Sequence, residues 1–248
     1  MATRAKSARA GARNAKAAAP DAALGEGGHA DYLIWQLCDS AFPTGGFAHS
    51  GGLEAACHHG EIRGREALGG YLEASLWQFG HASLPFMNAA FFDPAAAPGV
   101  DDLCDSFTSN HVASRASRAQ GRALRLAVER IFLAGDSSKA EEGLLPELPF
   151  GHLATTWGCA FRALGLSRAT AGRAFAFNHL RALLAAAVRL NVVGPMEAQG
   201  TQRRLGGMLG RVLAACDAIP PGEAAQTSPL IEIWQAGHDR LYSRLFQS

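Results

Sequence analysis

Apolar residues in this chain recur at steps of three and four, and that spacing limits its fold more than any other feature. Leu68, Leu72, Leu76 and Phe79, with Tyr71 beside them, form one stripe. Leu124, Val128, Ile131 and Phe132 form a second, and Leu180, Leu183, Leu184, Ala187 and Val188 a third. Leu205, Met208, Leu209, Val212, Leu213 and Cys216 form a fourth. The sequence has no alternating run long enough for a useful strand and no fixed-period repeat. The pattern therefore predicts an all-α protein, a single domain of several packed helices. With 248 residues, 48% of them hydrophobic, the chain can bury one sizeable core.

Capping and breaking residues divide this text. Ala30 to Cys38 reads as a short helix with Asp31 near its start, and Leu53 to His59 as a turn of helix closing at Gly60. Pro85 suits the first turn of a helix reaching Phe92, and Pro94 to Gly99 reads as a loop. Asp101 or Asp102 is the expected cap of a short helix toward Asn110, ahead of a long helix from Ser114 to Ala134. Residues 135–149 form a polar connector. His152 to Leu164 should stop at Gly165, and Ser167 or Thr170 should cap a helix through Leu190. The segment Val192 to Pro195 breaks the chain. Gly206, Gly207 and Gly210 each cost a helix about 1 kcal/mol against alanine, which predicts a neighbour approaching there. Ile219 to Gly222 ends the body, and Ser228-Pro229 opens a last helix running almost to the end.

Residues 1–27 are different. Arg4, Lys6, Arg9, Arg13 and Lys16 precede the first acid, Asp21, in an Ala/Gly background too poor in bulky groups for a core. A disordered basic extension is favoured over a transit peptide, leaving 28–248 as the helical domain. The net charge of +1 offers no general field for nucleic acid or membrane. No run approaches the roughly 20 apolar residues of a membrane span. Cys38, Cys57, Cys104, Cys159 and Cys216 are odd in number and scattered, as expected of reduced, mostly buried thiols.

Leu37 to Glu54 interrupts the helical text: Leu-Cys-Asp-Ser-Ala-Phe-Pro-Thr-Gly-Gly-Phe-Ala-His-Ser-Gly-Gly-Leu-Glu. Pro43 pushes Phe42 out of helical geometry, and the pairs Gly45-Gly46 and Gly51-Gly52 permit two turns. Phe42 and Phe47 between them require a surface to cover, so the loop is structured and partly buried. It lacks the Lys and hydroxyl of a phosphate loop. Ala48-His49-Ser50-Gly51-Gly52 approximates a nucleophile elbow, but Pro43 and the glycines interrupt the strand such an elbow needs.

Asp39 to Glu54 resembles the N-terminal signature of the UreF family of urease accessory proteins, a Pro-x-Gly-Gly-aromatic loop running on to Ser-x-Gly-Leu-Glu. The likeness spreads through Arg118-Ala119-Gln120-Gly121-Arg122-Ala123-Leu124, Gly151 to Leu166, Ala186 to Leu190 and His238 to Phe246, covering residues 31 to 248. It implies a non-enzymatic, cytoplasmic, dimeric adaptor that joins a UreD/UreH-type partner, recruits the UreG-type GTPase and helps deliver nickel to apo-urease. No cofactor would be held stably by the chain itself; the assembled complex would handle the nickel.

The candidate sites divide accordingly. Cys57-His58-His59 near His49 is the best metal candidate, yet adjacent helical histidines point about 100° apart and no second pair matches them, so no metal site is expected. In the loop, Phe42, Gly45, Gly46, Phe47, His49, Ser50 and Glu54 are candidates for partner contact, with Glu54 equally suited to capping backbone amides. Arg115, Arg118, Arg122 and Arg125 line one helical edge, solvated or partner-binding. The strongest candidate is the aromatic and arginine-rich end, with Trp234, His238, Arg240, Tyr242, Arg244, Leu245 and Phe246. In UreF proteins this end takes part in binding the UreD/UreH partner. Two other classes stay open: a GTPase-activating regulator using Arg115, Arg118 or Arg122 as an arginine finger, and a hydrolase using Ser50.

Overall fold

The computed structural model describes residues 25–134 and 145–248. The basic residues of the extension, Glu141, Glu142 and the first part of the connector lie outside the described residues. Among the described residues the chain forms helices and short helical turns with no strand, an all-α domain. No helix among them is long and apolar enough to cross a membrane.

Helix α1 (Gly25–Leu37) leads into the glycine loop, whose centre is a 3-10 turn at Gly46–Ala48. Then follow α2 (Leu53–His58), α3 (Arg65–Ala82), α4 (Leu84–Phe92), α5 (Ala97–Phe107) and α6 (His111–Val128), the last prolonged by a π-type turn at Glu129–Leu133. Helices α7 (Leu153–Ala163), α8 (Arg168–Arg189), α9 (Pro195–Cys216) and α10 (Pro229–Gly237) complete the domain.

The core is organised around α7, buried on every face from Ala154 to Phe161. Its small residues permit this: a Cβ at Gly158 would stand 2.3 Å from the Met87 carbonyl oxygen of α4. Trp157 stacks on Phe161 at 4.7 Å and on Phe175 of α8 at 5.1 Å, and its indole N–H finds the Ala171 carbonyl at 3.1 Å. Such close, hydrogen-bonded aromatic packing supplies a large part of the apolar burial. Gly80 serves α3 in the same way, since a Cβ there would lie 2.6 Å from Val212 of α9.

Several boundaries differ from the sequence reading. The run Pro94 to Gly99 is loop only as far as Ala96, because Pro98 sits in the first turn of α5. Asp101 does not cap its own helix. It is buried inside α5, and its carboxylate accepts the backbone N–H groups of Phe150 (2.7 Å), Gly151 (2.8 Å) and His152 (3.0 Å) and the Thr155 hydroxyl (2.6 Å). From another helix it therefore fastens the turn that leads into α7, including the N–H of the cap residue His152. Asn110, in turn, caps α6, and Ser167 caps α8.

Gly206, Gly207 and Gly210 lie on an exposed face of α9, where a Cβ would meet nothing within 4 Å, so the expected neighbour is absent among the described residues. The last helix is also shorter than its apolar spacing suggested. It stops at Gly237, passes through a 3-10 turn at His238–Arg240, and Leu241 is extended. From there the backbone donors turn outward to tertiary partners.

Candidate partner-binding site

The glycine loop and the chain's last residues form one structure. Gly45 adopts φ 73°, and Gly51 and Gly52 adopt φ 61° and 92°, left-handed values that glycine takes without a Cβ penalty. Gly52 also abuts α10, since a Cβ there would sit 3.2 Å from the Gln235 nitrogen and the Ile231 oxygen. The Tyr71 hydroxyl donates to the Gly51 carbonyl at 2.6 Å. Phe42 turns inward onto Phe132, with ring centroids 6.1 Å apart.

Glu54, in the first turn of α2, is buried and faces the tail. One oxygen accepts Leu245 N–H at 2.5 Å; the other accepts Phe246 N–H at 3.2 Å and lies 2.7 Å from His238 Nε2. The amides that this carboxylate accepts come from 191 and 192 residues away in the same chain rather than from its own turn. The tail continues alongside the loop. Gln247 N–H donates to the Ala48 carbonyl at 2.8 Å, and the Ser50 N–H and hydroxyl donate to the Ser248 main-chain oxygen at 2.5 and 3.0 Å. His49 Nδ1 meets the Ser248 hydroxyl at 2.6 Å. Burial, reinforced by Arg115 and His238, holds His49 below the ordinary histidine range, so its ring is neutral at pH 7.

Ser50 is thus buried and committed to the tail, in a turn that no strand precedes. This is a structural position, and the elbow reading of it is set aside.

Arg189, the last residue of α8, clamps the two segments. Its guanidinium lies 4.0 Å from the Phe47 ring centroid and 4.1 Å from that of Phe246, and it donates to the Phe47 carbonyl at 2.6 Å and the Leu245 carbonyl at 3.4 Å. Phe47 therefore covers a cation rather than the core. The surface left outside this clamp is aromatic and basic: Phe47, Tyr242, Arg244 and Leu245 are all exposed, whereas Phe246 and His238 are buried.

The arginine edge joins the same surface. Arg115 makes a bidentate pair with Asp239, at 3.1 and 2.9 Å, and Arg244 and His111 reach the same carboxylate at 3.0 and 3.3 Å. These contacts, Arg115 first, hold Asp239 below the usual carboxylate range. Arg118 pairs with Asp105 and lies 4.6 Å over the Phe150 ring, while Asp105 also meets buried His152 at 3.0 Å. Arg125 belongs elsewhere, fastening the end of the connector through the Leu145 and Pro146 carbonyls at 3.0 and 2.6 Å. Arg122 and Arg240 are exposed, with no ion pair among the described residues.

The other candidates stay apart from this surface. His58 and His59 are exposed with rings at 87°, and burial pushes the Cys57 thiol up to about 11, the behaviour of a packed thiol beside two surface imidazoles. All five cysteines are free. Behind the loop lies a cavity of about 720 Å³, walled by Phe42, Phe79, Trp157 and Phe175 and bearing Ser75 and His179. Ser75 Oγ and His179 Nε2 are 2.9 Å apart, and burial pushes this histidine down to about 4.

Reading the residues alone missed Arg189 and Asp239, and placed Asp101 at the start of its own helix. An arginine ending a helix complements the helix dipole, and an aspartate between histidine and arginine looks solvated, so neither advertises a remote partner.

The UreF family model matches residues 62–206. Urease accessory protein F of Arabidopsis thaliana is 37% identical over 218 residues, covering 86% of this chain and 91% of the relative. That of Oryza sativa subsp. indica is 34% identical over 222 residues, covering 88% and 85%. A UreF-like urease accessory protein of Schizosaccharomyces pombe is 28% identical over 227 residues, covering 88% and 97%. With a family model spanning more than half its length and relatives that it matches almost end to end, the chain belongs to the UreF family of urease accessory proteins.

Proposed function

We propose that this chain is a non-enzymatic, cytoplasmic adaptor of urease maturation, joining a UreD/UreH-type partner to the UreG-type GTPase so that the assembly delivers nickel to apo-urease. The observation that carries the reading is the loop and tail, fused through Glu54 and Arg189 into one face with aromatic and arginine groups outward, the composition of interface hot spots. In the loop, buried Ser50 and half-buried His49 hold the tail, Gly45 and Gly46 shape the turn, and the exposed groups of the face are Phe47, Arg240, Tyr242, Arg244 and Leu245. A homodimer of the adaptor fits the same scheme, and nickel is cargo of the whole assembly.

Removing residues 238–248 would strip Glu54 of its amides, so the test uses exposed groups. Tyr242→Ser combined with Leu245→Ser should abolish co-purification with the UreD/UreH-type partner at unchanged thermal stability. Retained binding would refute the assignment.

A second reading, stimulation of the GTPase by an arginine finger, narrows to one residue. Arg115 and Arg118 are already tied to Asp239 and Asp105, leaving Arg122 as the guanidinium on that edge without an ion pair among the described residues. GTP turnover compared between wild type and Arg122→Ala decides it.

A further inference from the structure

The outer edge of α6 encloses a shallow pocket of about 390 Å³ lined by His111, Ser114, Arg115, Arg118 and Arg122. We propose that this pocket docks an acidic segment of a partner protein, whose carboxylates take Arg122 and the unused donors of Arg115 and Arg118. The inference rests on the reading that the chain works within an assembly, and adds the chemistry of one contact.

Three observations carry it. The first is a charge surplus. Among the described residues, the guanidiniums of Arg115, Arg118, Arg122 and Arg244 have two carboxylates within ion-pair reach, Asp239 and Asp105, and those two also meet His111 and His152. A solvated edge of this kind in a chain of net charge +1 concentrates positive potential in a concave place.

The second is order. Free surface arginines lose considerable rotamer entropy on binding, but here Arg115 is held by two hydrogen bonds and Arg118 by Asp105 and the Phe150 ring. The backbone beneath them is equally fixed. Gly121 brings α6 against the turn before α7 so closely that a Cβ would stand 2.1 Å from the Gly151 oxygen. Forks held in this way suit planar carboxylates.

The third is an open fork at the pocket's edge. Arg122 is exposed and makes no ion pair among the described residues, whereas the unpaired Arg118 Nε is buried and lies out of a docking segment's reach. A carboxylate-bearing partner is favoured over an apolar one because the lining is basic throughout, apart from Ser114.

The test titrates the full chain, with its arginine side chains labelled for NMR, with hexaglutamate peptide in about 50 mM salt, where screening is weak. Saturable shifts should fall on Arg115, Arg118 and Arg122, weaken about tenfold in Arg122→Glu, and stay unchanged in Arg211→Glu, a reversal on the exposed face of α9. Shifts spread evenly over surface arginines, or equal in Arg122→Glu, would overturn the proposal, and so would pyrophosphate displacing the peptide at lower concentration, which assigns the pocket to phosphate. Co-purification with the accessory partners separates the two readings. Complexes formed equally well by wild type and Arg122→Glu sink the acidic pocket and leave the adaptor role standing. If hexaglutamate binds in the pocket while no complex forms, the pocket chemistry stands and the adaptor role falls.

Discussion

Glu54 and His238 lie 184 positions apart in the chain and 2.7 Å apart in space, both buried, with the tail amides of Leu245 and Phe246 completing the shell of the carboxylate. A buried acid with three donors around it organises everything near it, because removing any one partner leaves an unmet polar group. The exposed aromatic and basic face of loop and tail consequently depends on a contact buried beneath it.

Glu54→Gln keeps the volume and turns one acceptor into a donor that faces backbone N–H groups. Stability should fall by about 2–3 kcal/mol, as for other buried hydrogen-bonded charges. Amide exchange at Leu245 and Phe246 should rise well above that of α7. Hydrogen-exchange mass spectrometry after denaturant titration reads both, and protected tail amides in the variant would show that other contacts suffice.

Arg189→Ala removes the cation between Phe47 and Phe246 together with its two carbonyl contacts. The expected cost is about 1–2 kcal/mol, with the loop and tail cleaved faster by protease than the helical body. Arg189→Lys should not restore protection, since an ammonium cannot fill both ring faces and both carbonyls.

Glycines in two helices should respond in opposite directions. Gly121→Ala forces a methyl into the Gly151 carbonyl and should cost about 3 kcal/mol. Gly206→Ala meets nothing within 4 Å and should stabilise by about 1 kcal/mol. Chemical denaturation of the pair against wild type checks both signs.

His179 is neutral in the fold, with burial as the dominant cause and its pKa pushed from 6.5 to about 4. The unfolded chain therefore binds more protons than the native one between these values. Its contribution is whole above pH 6.5, is lost as pH falls toward 4, and amounts to on the order of 3 kcal/mol. Unfolding free energies at several pH values should show a shallower decline in His179→Gln than in wild type.

The helices themselves were legible in the residues. Stripes such as Leu68 to Phe79 place an apolar face once per turn, and that local period survives whatever packs against it. Ser167, Pro85 and Gly165 mark ends by chemistry confined to neighbouring backbone. The loop could be recognised as structured, because Pro43 and its glycines restrict the backbone directly.

What the local text could not decide was partnership. Asp101 has the composition of a cap for α5 and instead fastens the turn that leads into α7, which arrives from about 50 residues further on. The tail carries helical spacing through Leu245, but its amides are claimed by Glu54 and Ala48, so the helix ends at Gly237. Arg115 and Arg118 share one periodic edge with Arg122, and only the positions of Asp239 and Asp105 set them apart. Periodicity determines which face of an element is buried; the identity of a buried charge's partner depends on long-range packing, where a carboxylate takes whichever donors the assembled core brings within reach.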